Sequence, residues 1–187
     1  MNQLKITFIL LLFFTSINTV NATEYTHIDT AKSKINFSSK LMGSTVAGTF
    51  KKFSGKVIFD SANPIKSKAE IVIDIGSFQA GGDELRDEAQ GKAWFNSAAY
   101  PQAKFISQEV KENGAGKLEL IGKLTIKNKT QTITIPATYK EQNGQVVFES
   151  LFQIKRLDFL LGEGNWSDTS AVANEVPIKI QFVITQK

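Results

Sequence analysis

The chain has 187 residues, no cysteine, a single histidine and a formal charge of +4. Without thiols there is no disulfide framework, no Cys metal site and no covalent haem attachment; a His-based metal centre would have only one such ligand, and a Ser-His-Asp triad would have to use the lone His27. The positive charge sits mainly on lysines at outward strand positions interleaved with acids, such as Lys117, Lys123 and Lys127, a solvated face that argues against nucleic-acid binding.

Residues 1–22 read as a signal peptide. Lys5 supplies the positive start, Ile6 to Phe14 are apolar apart from Thr7, and Val20-Asn21-Ala22 has the small-x-small form of a cleavage site. The apolar run falls short of the ~20 residues of a membrane span, so cleavage after Ala22 and a periplasmic location are expected, with an uncleaved anchor as the alternative. Residues 23–187 are long enough for one domain with its own core.

From there a two-residue hydrophobic rhythm runs through most of the chain. Tyr25 to Ile28 suit a short first strand carrying the lone His27, and Ile35, Phe37, Ser39 and Leu41 share one face of the next. Gly43-Ser44 reads as a bend or bulge. Val46, Gly48 and Phe50 resume the alternation, Phe53, Gly55, Val57 and Phe59 continue it, and Ile71, Ile73 and Ile75 line a further strand. Gly82 to Gly91 breaks the rhythm and predicts one short helix, capped by Asp83 and stopped by Gly91. Its acids Asp83, Glu84, Asp87 and Glu88 suit a helix start better than paired glycosidase carboxylates. Trp94-Phe95 is expected to pack across an end of the sheet.

Strands return over Ala103 to Val110, Leu118 to Ile126, Thr130 to Tyr139, Gln145 to Arg156 and Val176 to Ile184. Asn113-Gly114 and Asn143-Gly144 are hairpin signals, since both central positions of such turns take positive φ. Short strands joined by turns imply a single all-β domain, an antiparallel barrel of about eight strands with one short helix. Dry faces rolled together fill with side chains or hold a greasy ligand. Ser150 and Gly122, small residues on dry faces, favour a cavity, although they also suit sheet curvature. The Gly162 to Ser170 loop carries Trp166 as either a lid or a plug.

Certain pieces carry a family pattern: Tyr25-x-x-Ile28-Asp29, Gly43-Ser44-x-Val46-x-Gly48-x-Phe50-x-x-Phe53-x-Gly55, Phe59-Asp60, Arg86-Asp87, Phe95 and Tyr100-Pro101. Phe105, Gly122-x-Leu124-Thr125-Ile126, Arg156-x-Asp158-Phe159, Gly162-x-Gly164-x-Trp166-x-Asp168-Thr169 and Glu175-Val176 complete it. On these the chain resembles the YceI-like family of bacterial envelope proteins, whose lipocalin-like barrel binds polyisoprenoid or other long-chain lipids. Where that family often shows histidine, this chain has Lys32, Leu41 and Ala89.

The resemblance implies a non-enzymatic lipid carrier with no cofactor, its ligand a long-chain isoprenoid or acyl lipid such as a polyprenyl phosphate or a quinone. Inward positions expected to touch it are Phe37, Phe50, Val57, Phe59, Ile71 and Ile73 in the first half, then Leu120, Leu124, Phe148, Phe152 and Ile154, with Trp166 at the loop. Arg86 and Arg156 are candidates for an anionic head group, or else structural partners of Asp87 and Asp158. No membrane span is expected after cleavage, and the reading admits a homodimer. The alternative function is a ligand-free β-sandwich acting as a structural or stress-related interaction module.

Overall fold

The computed structural model describes residues 24–186, so the leader expected over 1–22 lies outside the described residues. Alternation becomes strand nearly wherever it occurs. The strands are β1 (Glu24–Tyr25), β2 (His27–Ile28), β3 (Lys34–Leu41), β4 (Ser44–Phe50), β5 (Phe53–Asp60), β6 (Lys68–Asp74) and β7 (Phe78–Ala80). After the helix α1 (Asp83–Gln90) come β8 (Gln102–Glu112), β9 (Lys117–Ile126), β10 (Lys129–Gln142), β11 (Gln145–Lys155) and β12 (Glu175–Thr185). No helix among the described residues is long and apolar enough to cross a membrane.

All twelve strands join one antiparallel sheet, in the order β1-β5-β6-β8-β9-β10-β11-β12-β3-β4-β7, with β2 beside β12. The class is all-β as expected. Nine strands of seven or more residues stand against the eight expected, and β1, β2 and β7 add short pieces of two or three residues that patch the edges. The sheet curls into a half-barrel whose free edges, around β4 and β5, do not pair with each other. Two devices hold them together. At one end β1 pairs with β5 through Tyr25 and Phe59, and β2 pairs with β12 through Ile28 and Ile184. At the other, buried Ser77 takes the Lys51 N–H on its carbonyl at 3.2 Å and the Lys52 N–H on Oγ at 2.9 Å.

Turn chemistry follows sequence in part. Asn143 and Gly144 both have positive φ (52° and 70°), as a two-residue hairpin requires. Met42 and Gly43 (φ 47° and 81°) also form a tight turn, where a bend or bulge was expected one residue later. At Asn113-Gly114 only the glycine is left-handed, because the β8–β9 connection is a longer loop that also uses Gly116. The register shift of this region lies between Ser107 and Glu109 on β8. In α1 the cap is Gly82, whose carbonyl accepts the Arg86 N–H at 3.1 Å, and Asp83 is the first helical residue. Gly91 ends the helix without the left-handed φ of a glycine cap.

Lys127 departs from expectation. It is not on the solvated face, because the strand stops at Ile126 and a φ of 47° turns its side chain inward. Only 9% exposed, it donates to the carbonyls of Lys92 (2.8 Å) and Leu160 (3.0 Å) and to Glu163 Oε2 (2.5 Å). The β9–β10 turn is thereby pinned to both segments that cover that end of the sheet.

Candidate ligand-binding cavity

The inward side chains of the curled sheet do not close on each other. They surround an apolar cavity of about 300 Å³, at the lower end of the range for small-molecule sites. Every strand except the short β1 and β2 contributes inward residues, joined by Leu85, Glu88 and Ala89 on one face of α1. A filled sandwich does not describe this interior.

Aromatic clusters shape its two ends. Phe37, Phe50, Phe78 and Phe95 stack and tilt against one another at centroid distances of 5.2 to 5.9 Å. Phe37 has room because it lies over Gly48, where a side chain would collide with it. Near the β10–β11 turn, Phe59 packs at 4.9 Å on both Tyr139 and Phe148. Behind them buried Tyr25 donates its hydroxyl to Glu141, and that bond, with burial, raises the phenol pKa above its ordinary value. Gly122 does not enlarge the cavity: the Phe105 ring covers its Cβ position at 2.6 Å. Ser150 does face the interior, and its hydroxyl donates to the Pro136 carbonyl.

Thirteen of the fourteen residues expected at the site line the cavity: Phe37, Phe50, Val57, Phe59, Ile71, Ile73, Leu120, Leu124, Phe148, Phe152, Ile154, Trp166 and Arg156. Arg86 does not. It lies on the outer side of α1, paired with Asp83 (2.8 Å) and Asp87 (3.2 Å). Arg156 is 1% exposed and, instead of the expected pair with Asp158, makes no ion pair with a carboxylate among the described residues. Its guanidinium donates to five backbone carbonyls: Ala173 (3.2 Å) from Nε, Leu161 (2.7 Å) and Gly162 (3.3 Å) from Nη1, Trp166 (2.7 Å) and Val172 (2.8 Å) from Nη2. A guanidinium has five N–H donors, so none remains for a ligand. Burial lowers its pKa from the ordinary guanidinium value.

The same residue settles the shape of the Trp166 loop. Arg156 holds the loop from beneath, Trp94 lies over the guanidinium at 5.4 Å, and Trp166 packs on Trp94 at 5.9 Å. The loop is tied down as a plug. Residues that strand periodicity did not single out include Phe78, Leu85, Ile133, Ile135 and Trp94. Ile133 and Ile135 were within reach, as they alternate on β10; Trp94 and Leu85 were not, because they reach the cavity from irregular or helical chain.

Three buried polar atoms among the described residues have no hydrogen-bond partner: Ser39 Oγ, Ser67 Oγ and Trp94 Nε1. All three belong to residues that line the cavity. Such groups are rare in folded proteins and each costs about 1–3 kcal/mol when left unpaired. Outside the cavity, His27 is exposed on β2, and no group of three or more His, Cys, Asp or Glu side chains gathers among the described residues.

Residues 26–184 match the family model for the YceI-like domain. Among curated relatives, a UPF0312 protein of Yersinia pestis is 35% identical over 132 residues, covering 67% of this chain and 68% of its own length. Among solved structures, BcnA of Burkholderia cenocepacia is 42% identical, with a TM-score of 0.82 over 84% of this chain and 99% of that one. A polyisoprenoid binding domain from Saccharophagus degradans, implicated in plant cell wall breakdown, has the same fold at 17% identity, with a TM-score of 0.69 over 88% of this chain and 99% of its own.

Proposed function

Since this chain belongs to the YceI-like family, we propose that it binds and carries an isoprenoid-type or other long-chain lipid inside the curled sheet, in the bacterial periplasm, and performs no catalysis on it. The carrying observation is the cavity walled by apolar side chains inside the curled sheet. Burying a methylene is worth about 0.8 kcal/mol, so a prenyl or acyl tail gains affinity along its length without polar contacts. The polyisoprenoid binding named for the Saccharophagus degradans domain, which shares the fold, supports the same reading.

An uncharged head group fits better than a phosphate. Arg156 has no donor to spare, and Arg86 lies off the site. What the wall does offer are the unpartnered hydroxyl of Ser39 and the indole N–H of Trp94, which suit a carbonyl oxygen such as a quinone's. Trp94→Phe keeps a ring against Arg156 and removes the donor. Affinity for a prenyl quinone is expected to fall about tenfold, the worth of one hydrogen bond of about 1.4 kcal/mol, while affinity for a prenyl hydrocarbon stays unchanged. Calorimetric titration of both ligands checks this. Equal losses for both would mean Trp94 acts through packing alone.

Native mass spectrometry of the protein, isolated gently from its own envelope, tests the reading as a whole. An added mass equal to an isoprenoid or acyl lipid is the expected result. A bare polypeptide that also refuses an added prenyl quinone would overturn it.

A further inference from the structure

The wall of the half-barrel has a parting in it. β10 pairs with β9 continuously from Lys129 to Thr138, and β11 pairs with β12 along its whole length. Between them, however, β10 and β11 pair only from Thr138–Glu149 to Gln142–Gln145, beside their turn. Above that point two strands, each fully held on its far side, run on without a ladder. Pro136 stands two residues past Thr138, the last paired residue, and has no N–H to continue the ladder. The two sides are tied there by side chains: Ser150 Oγ to the Pro136 carbonyl, and Gln131 Nε2 to the Asp158 carbonyl at 3.1 Å.

On the outer surface over this parting lies a cleft of about 380 Å³. Leu118, Ala137 and Ser150 line both that cleft and the inner cavity. Leu151, 67% exposed, stands on its rim as an unusually bare apolar side chain. Aromatic side chains pack at both ends of the cavity, the Trp94–Trp166 pair over Arg156 at one and Tyr25, Phe59 and Tyr139 at the other, and the unpaired edges near β4 and β5 are tied through Ser77 and through β1 and β2.

From this we infer that the β10–β11 parting is a lateral portal through which the lipid tail enters and leaves, with the Ser150–Pro136 hydrogen bond as its catch. The inference rests on the lipid-binding reading. Widening the slot breaks no backbone ladder, only two side-chain hydrogen bonds, whereas opening an end means displacing the half-buried Trp94–Trp166 pair with its arginine or the buried Tyr25 and Phe59. Leu151 gives the emerging tail an apolar contact outside the wall.

The chain has no cysteine, so introduced thiols are unique. Pro136→Cys with Leu151→Cys, bridged by a short bis-maleimide and verified by mass, sutures the slot from outside. The probe is cis-parinaric acid, a fluorescent polyene fatty acid, followed by stopped flow. Bridging is expected to slow both uptake and release at least about tenfold at nearly unchanged affinity, since a portal alters rates and not end states. Ser150→Ala is expected to accelerate both and also applies should the thiols lie too far apart to bridge. Parental rates in the bridged protein, or in Ser150→Ala, would overturn the portal. A dimer of the parent that disappears on bridging would overturn it too, in favour of strand pairing between copies. Failure of the unmodified protein to take up the probe would instead count against lipid binding itself.

Discussion

Phe152→Arg is expected to abolish lipid uptake, lowering affinity for a polyene fatty acid or prenyl quinone by about a hundredfold or more. Phe152 sits inward on β11, opposite Ile178 of β12, with its ring on the cavity wall. An arginine there brings a charge that must keep water or a counterion in an apolar interior. The tail and the guanidinium's water compete for the same volume. A second variant separates blocked binding from lost folding: Ile178→Phe fills the space with apolar atoms and leaves the wall dry. Uptake by that variant is expected to fall about tenfold with a far-ultraviolet circular dichroism spectrum like the parent's, one ring's worth of tail contact being lost. Folded variants that bind as the parent does would place the tail outside the cavity.

The largest expected effect on stability comes from Arg156→Lys, a conservative change by charge alone. The ammonium has three donors against five carbonyls, and it lacks the planar fork that reaches Leu161, Trp166, Val172 and Ala173 together. Two or more buried carbonyls lose their partner, at about 1–3 kcal/mol each. A loss of about 2–5 kcal/mol follows, a large share of the 5–15 kcal/mol that holds a typical domain together. Urea unfolding measures it. Because Trp166 rides on this arginine, its fluorescence is expected to shift to longer wavelength as the plug loosens. A change under about 1 kcal/mol, against the 1–3 kcal/mol of each lost partner, would mean that the carbonyls find water and that the arginine is not the anchor of the loop.

Arg156 also marks where reading along the chain reaches its limit. Next to Asp158 it suggests an ion pair, and with phosphate lipids in view it suggests a head-group clamp. Its actual partners come from a loop of residues 161–173 that is irregular and carries no periodic signal. Lys127 is a parallel case. It continues an alternation that ends one residue earlier, and only the left-handed turn sends it inward to Glu163. Arg86, in contrast, pairs with acids three and one residue away, and its place outside the cavity follows from the single helix on which all three stand.

What the sequence determined by itself is local and periodic. Inward and outward positions alternate along each strand, so the cavity wall of Phe37, Phe50, Val57, Phe59, Leu120, Phe148 and their neighbours was legible before any pairing was known. The antiparallel all-β class, the one α-helix among the described residues and the Asn143-Gly144 turn follow from equally short-range chemistry. The tertiary structure alone decided how far the sheet closes, because that depends on which distant edges meet. It also decided that Phe105 covers Gly122, that five carbonyls converge on Arg156, and that the ladder parts beyond Thr138. A proline's missing N–H can be read in the sequence at Pro136. Whether the loss falls on a paired neighbour or opens a slot is set by strands brought together from far along the chain.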